Sequence, residues 1–242
     1  MRLLNKRTQD RVCTLLILFV IASPVFSQDQ QTVQVWLDYD PTYPMGRTTF
    51  DLEITMHVAF GAARWGELGL TPNWEFAATN WLDLSGGMGL TYTRQIEDFD
   101  SFEINPYVEI KPYWYTKHGV RGVKLANYLR YDYRAQYVFA TEERKNSSRL
   151  RDRVQVVIPL NKASVIVGGA LSAIVDVEAF FNAGDLQERF SSRLRFRLGA
   201  SYIHSTKLRY QFYYTLQRAR DTIDEPFSTT DSIFRFRVIH FF

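Results

Sequence analysis

Three short stretches of this chain set arginine at every second position: Arg149, Arg151 and Arg153; Arg193, Arg195 and Arg197; and the pair Arg235 and Arg237. Earlier stretches carry acids in the same way, as Asp51 and Glu53, then Glu75, then Glu103 and Glu109, with Lys111 the main basic exception. Arg130, Arg134, Asp176, Glu178 and Arg209 share this spacing of two. Guanidinium and carboxylate groups in such numbers can pair, the planar fork of arginine matching a carboxylate through two N–H donors. Left unpaired around a water-filled bore, they would set up a transverse field selecting small anionic or zwitterionic solutes.

Nucleophilic or acid–base chemistry has a weaker footing. Catalysis at a membrane rim needs a Ser or carboxylate beside a His. The four histidines are His57 near Asp51 and Glu53, His118 in a turn, His204 next to Ser205, and His240 near the end. The His204–Ser205 pair is superficially similar to that of a lipid A deacylase, but it lacks that family's flanking residues and falls at an expected turn. A rim-located lipid-modifying enzyme is the least supported reading, and no catalytic residue is assigned. The His spacing offers no metal site, and no cofactor is expected.

A spacing of two belongs to β-strands, whose successive side chains point to opposite faces. In 50–60, Phe50, Leu52, Ile54, Met56, Val58 and Phe60 fill one parity, while Asp51, Glu53, Thr55, His57 and Ala59 fill the other. The same pattern predicts strands over 67–77, 84–94, 102–115, 123–139, 149–160, 165–181, 189–203, 207–217 and 232–242. Counting back from the end, "ARDTIDEPFSTT", "NAGDLQE" and "ATEERKNSSR" read as long loops, and "HSTK" and "NKAS" as short turns. Such alternation describes a barrel with short turns on the periplasmic side. The ten strands agree with the even number that barrel requires. Residues 33–40, "VQVWLDYD", also alternate and would make an eleventh, before Pro41 and Pro44. The expectation is an all-β, antiparallel transmembrane β-barrel of about ten to twelve strands, with an even number.

Composition decides what the apolar face meets. The 242 residues are 46% hydrophobic and 15% aromatic, and a mean hydropathy of −0.22 excludes a bundle of membrane helices. A membrane barrel stays compatible, because half of each strand is polar. A soluble barrel would point its apolar face inward, but ten such strands would enclose a void too large to fill. The apolar face is therefore assigned to lipid and the charges to the lumen, with Trp65, Trp81, Trp114, Tyr115 and Tyr202 suited to interfacial girdles. A net charge of +3 is too small to argue for nucleic acid.

"MRLLNKRTQDRV" followed by "CTLLILFVIASPVF" has the basic start and apolar run of a signal peptide. Residues 1–27 are assigned to it, and 28–242 to the barrel. Cys13 would leave with that peptide, so the exported chain would carry no thiol and no disulfide.

The terminal Phe242, after the alternating "SIFRFRVIHFF", resembles the signal by which outer-membrane proteins are recognised for barrel assembly. The "QVW" at 34–36, the repeated Arg-x-Arg strands and "DVEAFF" at 176–181 resemble the family known as domain of unknown function 2490. That resemblance implies an outer-membrane barrel in a Gram-negative cell and carries no activity with it. The expected partners are outer-membrane lipid, the barrel-assembly machinery and a small solute. Two functional readings follow: a narrow channel for small anionic or zwitterionic solutes, or a non-conducting structural or binding barrel with an ion-paired lumen.

Overall fold

The structure is a computed structural model that describes residues 32–61, 64–95, 100–115, 122–182, 191–219 and 227–242. The assigned signal peptide, Cys13 and His118 lie outside these residues. Eleven strands close into one barrel: β1 (Thr32–Met45), β2 (Thr48–Phe60), β3 (Trp65–Ala77), β4 (Leu82–Gln95), β5 (Ser101–Tyr115), β6 (Lys124–Val138), β7 (Glu143–Pro159), β8 (Leu171–Asn182), β9 (Ser191–Ser205), β10 (Leu208–Ala219) and β11 (Ser228–Phe241). Neighbours in sequence pair antiparallel. The barrel closes where β1 runs parallel to β11, Trp36 opposite Arg235 and Asp38 opposite Arg237.

The even strand number expected from sequence is therefore corrected to eleven. Residues 33–40 form most of β1 and sit in the wall. Pro41 does not end that strand, because one edge continues where the other lapses. The ladder to β2 skips from Tyr39 to Thr42, while the ladder to β11 runs on through Pro41 opposite His240. A proline has no N–H to donate, so a ladder lapses beside it. The β3–β4 ladder skips Pro72 and the β5–β6 ladder skips Pro106 in the same way.

Two loop assignments change as well. The "ATEERKNSSR" stretch is a tight turn at 139–142, with Glu142 at φ 55°, and β7 begins at Glu143. Its first residues, Glu143 to Ser147, are exposed and polar on both faces, which is why no alternation announces the strand there. Conversely, the strand expected from 165 begins only at Leu171, and 160–170 is a folded connection. Asn161 pins it, donating to Gly169 O at 2.9 Å and accepting from Leu171 N at 2.7 Å. The end of the barrel that carries Phe242 thus holds the longer 160–170 loop beside tight turns such as 46–47 and 206–207. The simple alternation of loop lengths fails.

The faces separate cleanly. Outward side chains are apolar and open, with Leu68, Trp74 and Val108 at 59%, 53% and 62% exposure. Inward ones are charged and covered, with Asp38, Asp132 and Glu178 at 4%, 0% and 5%. Glycine on the inward face lets large rings lie flat on the wall. A methyl group on Gly87 would stand 2.6 Å from both Pro72 O and Tyr107 Oη. The bare backbone of β4 lets Tyr107 cross it from β5 and donate to Asn73 Oδ1 of β3 at 2.8 Å. Gly199 serves Tyr213 likewise, an added methyl lying 2.5 Å from its ring.

Gly87→Val is expected to lower the unfolding free energy by about 1–3 kcal/mol through overpacking, read from urea unfolding of the refolded protein. Gly66→Val, where no atom lies within 4 Å of an added Cβ, should be close to neutral.

Candidate functional site

Among the described residues, chemistry-bearing side chains converge in the lumen, most densely at the seam that closes the barrel. Inward-facing Asp38 and Asp40 of β1 lie between β2, which supplies Glu53, and β11, which supplies Arg235 and Arg237. Arg235 bonds Asp38 and reaches Glu53 Oε1 at 2.5 Å. Arg237 bonds Glu53 and lies 3.3 Å from Asp38 and 3.1 Å from Asp40. His57 joins this seam with Nδ1 2.8 Å from Glu67 and Nε2 3.5 Å from Asp38. Both ring nitrogens face carboxylates, and the ring stacks on Trp36 at 4.3 Å. The imidazole is built in as a brace.

A second cluster occupies the opposite wall. Arg197 bonds Asp176 at 2.5 Å and Glu178 at 3.2 Å. Arg151 lies 2.8 Å from Asp132 and 3.9 Å from Glu178, and Arg149 lies 3.1 Å from Asp132. Asp132 thus holds two guanidinium groups while wholly buried. Arg130 bonds Glu109 at 2.9 Å and packs over the Tyr107 ring at 3.9 Å. Lys111 bonds Glu75, and Arg134 bonds Glu103 at 2.5 Å nearer the end where β1 begins.

Two aromatic rings join the clusters across the bore. Phe180 of β8 points inward and is 2% exposed. The guanidinium carbons of Arg195, Arg149, Arg151 and Arg193 lie 4.7, 5.3, 5.9 and 5.9 Å from its ring centre. Arg195 is also 5.3 Å from the Trp36 ring, which Arg235 approaches at 5.6 Å. These distances suit cation–π attraction, which strengthens when the cation is desolvated. A row of contacts therefore runs from Phe180 of β8 through Arg195 of β9 to Trp36 of β1 and His57 of β2. Between this row and the 160–170 loop lies a cavity of about 590 Å³, lined from nearly every strand and by Val165 and Ile166 of that loop.

The structure thus brings Glu53, Arg235 and Arg237 into one cluster, and Arg151, Asp176, Glu178, Arg195 and Arg197 into another. Glu75, Glu103, Glu109, Arg130 and Arg134 form separate pairs. Asp51 accepts only from Asn73, at 2.9 Å. Arg153 packs over Tyr128 at 3.8 Å and Arg209 over Phe241 at 5.5 Å, neither with a carboxylate in ion-pair range among the described residues. Phe242 stacks on Tyr43 at 4.8 Å and closes the seam's outer edge.

Asp38, Asp40 and Phe180 are lumen side chains that sequence reasoning did not single out, and Asp132 and Trp36 are not among the candidate site residues read from sequence. The parity of β1 marks the first two and Trp36 once that segment is placed in the wall. Phe180 shares parity with Asp176 and Glu178, and that was its signal.

The family described as "Protein of unknown function (DUF2490)" matches residues 33–226, the greater part of the chain. No curated protein matches it.

The seam makes a graded prediction. Asp38→Ala leaves two buried guanidinium groups short of a carboxylate and should cost about 3–5 kcal/mol. Glu143→Ala removes a pair with Lys145 that is more than half exposed and should cost less than about 1 kcal/mol. Urea unfolding of the refolded variants reads both.

Proposed function

We propose that this chain, which belongs to the DUF2490 family, is an outer-membrane β-barrel whose lumen is closed to ions, and that it works as a binding barrel. Membrane insertion is supported by the continuous outward apolar face. Phe212, Phe236, Val154 and Val177 are each more than two-fifths exposed, which water would oppose and lipid would favour. On this reading the Phe242 end would face the periplasm, as the likeness of the last strand to an assembly signal implies, and the 160–170 loop lies at that same end.

The observation that carries the closed reading is Arg195, whose guanidinium lies within cation–π range of both Phe180 and Trp36. A conducting pore needs a continuous thread of water. Here side chains from β8, β9, β1 and β2 reach into the lumen and contact one another. The charges that could have selected an anionic solute are mostly consumed in pairs, so the narrow-channel reading has less to work with.

Planar bilayers test this. The wild type is expected to show no steady single-channel conductance, and Phe180→Ala combined with Arg195→Ala should open an ohmic pore. A steady wild-type conductance would overturn the closed reading in favour of the narrow channel. Lipid contact is tested separately: Phe212→Arg and Val154→Arg should each cost about 2–4 kcal/mol for folding into vesicles, against little change for Lys145→Arg on the exposed end of β7.

A further inference from the structure

The pairing that fills the middle of the lumen stops at the end that carries the 160–170 loop. Lys124 opens β6 and Arg209 lies near the start of β10, four strands apart around the ring, and both line the same cavity. Among the described residues neither has a carboxylate in ion-pair range. The Nε–H of Arg209 is buried without an acceptor among the described residues; the face of Phe241 lies 5.5 Å away, and Tyr213 also lines the cavity. Carboxylates line the same cavity, Asp40 and Asp51 among them, but none pairs with these two cations, which repel one another and lose hydration. Arg153, higher in the same cavity, differs in having the Tyr128 ring against it at 3.8 Å.

Apolar side chains stand among the polar ones around these cations. Val157, Ile174 and Ile239 point inward at this depth, on strands whose other inward residues are mostly polar or charged, and Val165 reaches in from the loop. Ile174 is 2% exposed and Val165 8%. The loop is fixed at its neck by Asn161 and bonded to β9 through Gly169 N to Ile203 O at 2.6 Å. It makes a firm floor beside the cations. The cavity volume, about 590 Å³, is that of a small-molecule pocket.

We propose that this chamber binds a small organic acid: an anionic carboxylate held by Lys124 and Arg209, with an aliphatic or aromatic body against Val157, Ile174 and Ile239. The charge requirement comes from the two uncompensated cations, and the apolar body from the walls. The inference rests on the closed reading of the lumen, since a chamber with one blocked end retains what enters it.

Isothermal titration of the full refolded chain in non-ionic micelles tests it, with blank micelles subtracted. The probes are benzoate, acetate and benzylamine. Benzoate should bind saturably, acetate at least tenfold more weakly, and benzylamine not at all. Lys124→Met with Arg209→Met should weaken benzoate at least tenfold, the range expected for charge-assisted hydrogen bonds. The same double variant should unfold at higher urea than the wild type when no ligand is present, because it removes two unpaired cations. Absence of saturable benzoate binding, equal binding of acetate or benzylamine, or benzoate binding unchanged in the variant would each overturn the proposal. A variant that unfolds earlier or fails to refold would also overturn it, by making these cations part of the fold. Micelle titration is independent of conductance, so a wild type that conducts refutes the closed reading, and one that is silent yet binds nothing refutes only the site.

Discussion

A barrel that turns its apolar residues outward has no hydrophobic core, so its interior must be held by charge, and every buried charge must find its opposite. Asp38 is where that requirement bears hardest. It is almost wholly covered and faces Arg235, Arg237 and His57 at once. A buried carboxylate in this position stabilises only because its partners are buried with it, and the partners in turn depend on it. The interaction is cooperative in the simplest sense: Glu53 and Asp38 each contact both arginines, so neither pair exists apart from the other.

The unusual closure follows from the same constraint. Were β1 absent, β2 would meet β11 directly in a ten-stranded barrel, and Glu53 would be left to answer Arg235 and Arg237 alone. Adding β1 places Asp38 and Asp40 between them and supplies two more carboxylates to the seam. The added strand must then run parallel to β11, because the other ten already alternate in direction. Parallel pairing sets Trp36 opposite Arg235 and Asp38 opposite Arg237, which aligns the acid and the aromatic of β1 with the two arginines. An odd strand number is thus the result of completing the charge pairing.

Much of this was legible in the residues, and the rest was hidden for identifiable reasons. Alternation named the wall strands and the inward parity of Glu53, Asp176, Arg195 and Arg237, because period two survives wherever one face is apolar. It failed at Glu143–Ser147, where both faces are polar and no contrast remains. It failed in the opposite sense at Val165 and Val167, whose apolar alternation imitates a strand within a folded loop. Proline misled at Pro41, since a missing N–H breaks one ladder and spares the other. Pairing itself could not be read from types and spacing. Asp132 and Arg149 are neighbours only because β6 and β7 share a register, and Phe180 became a centre for four arginines only once β7 and β9 were placed on either side of it.

Compensation is graded along the barrel axis, and the gradient separates what holds the fold from what it is free to do. Near the end where β1 begins, Arg134 keeps about a third of its side chain in solvent, so water shares in satisfying its pair with Glu103. In the middle the pairs are buried and multiply bonded, as Arg197 is to Asp176 and Glu178. Toward the 160–170 loop the inward residues change character on three strands: Gln155 gives way to Val157, Asp176 to Ile174, and Arg237 to Ile239. Among the described residues, Lys124 and Arg209 stand in that region with no carboxylate in ion-pair range, although Asp40 and Asp51 line the same cavity. A barrel shaped only to close on itself would continue the pairing, or end it in neutral polar groups that need no partner. Leaving two cations unpaired in a chamber that also carries apolar side chains costs stability in the empty molecule, a cost that an anionic and partly apolar ligand would offset.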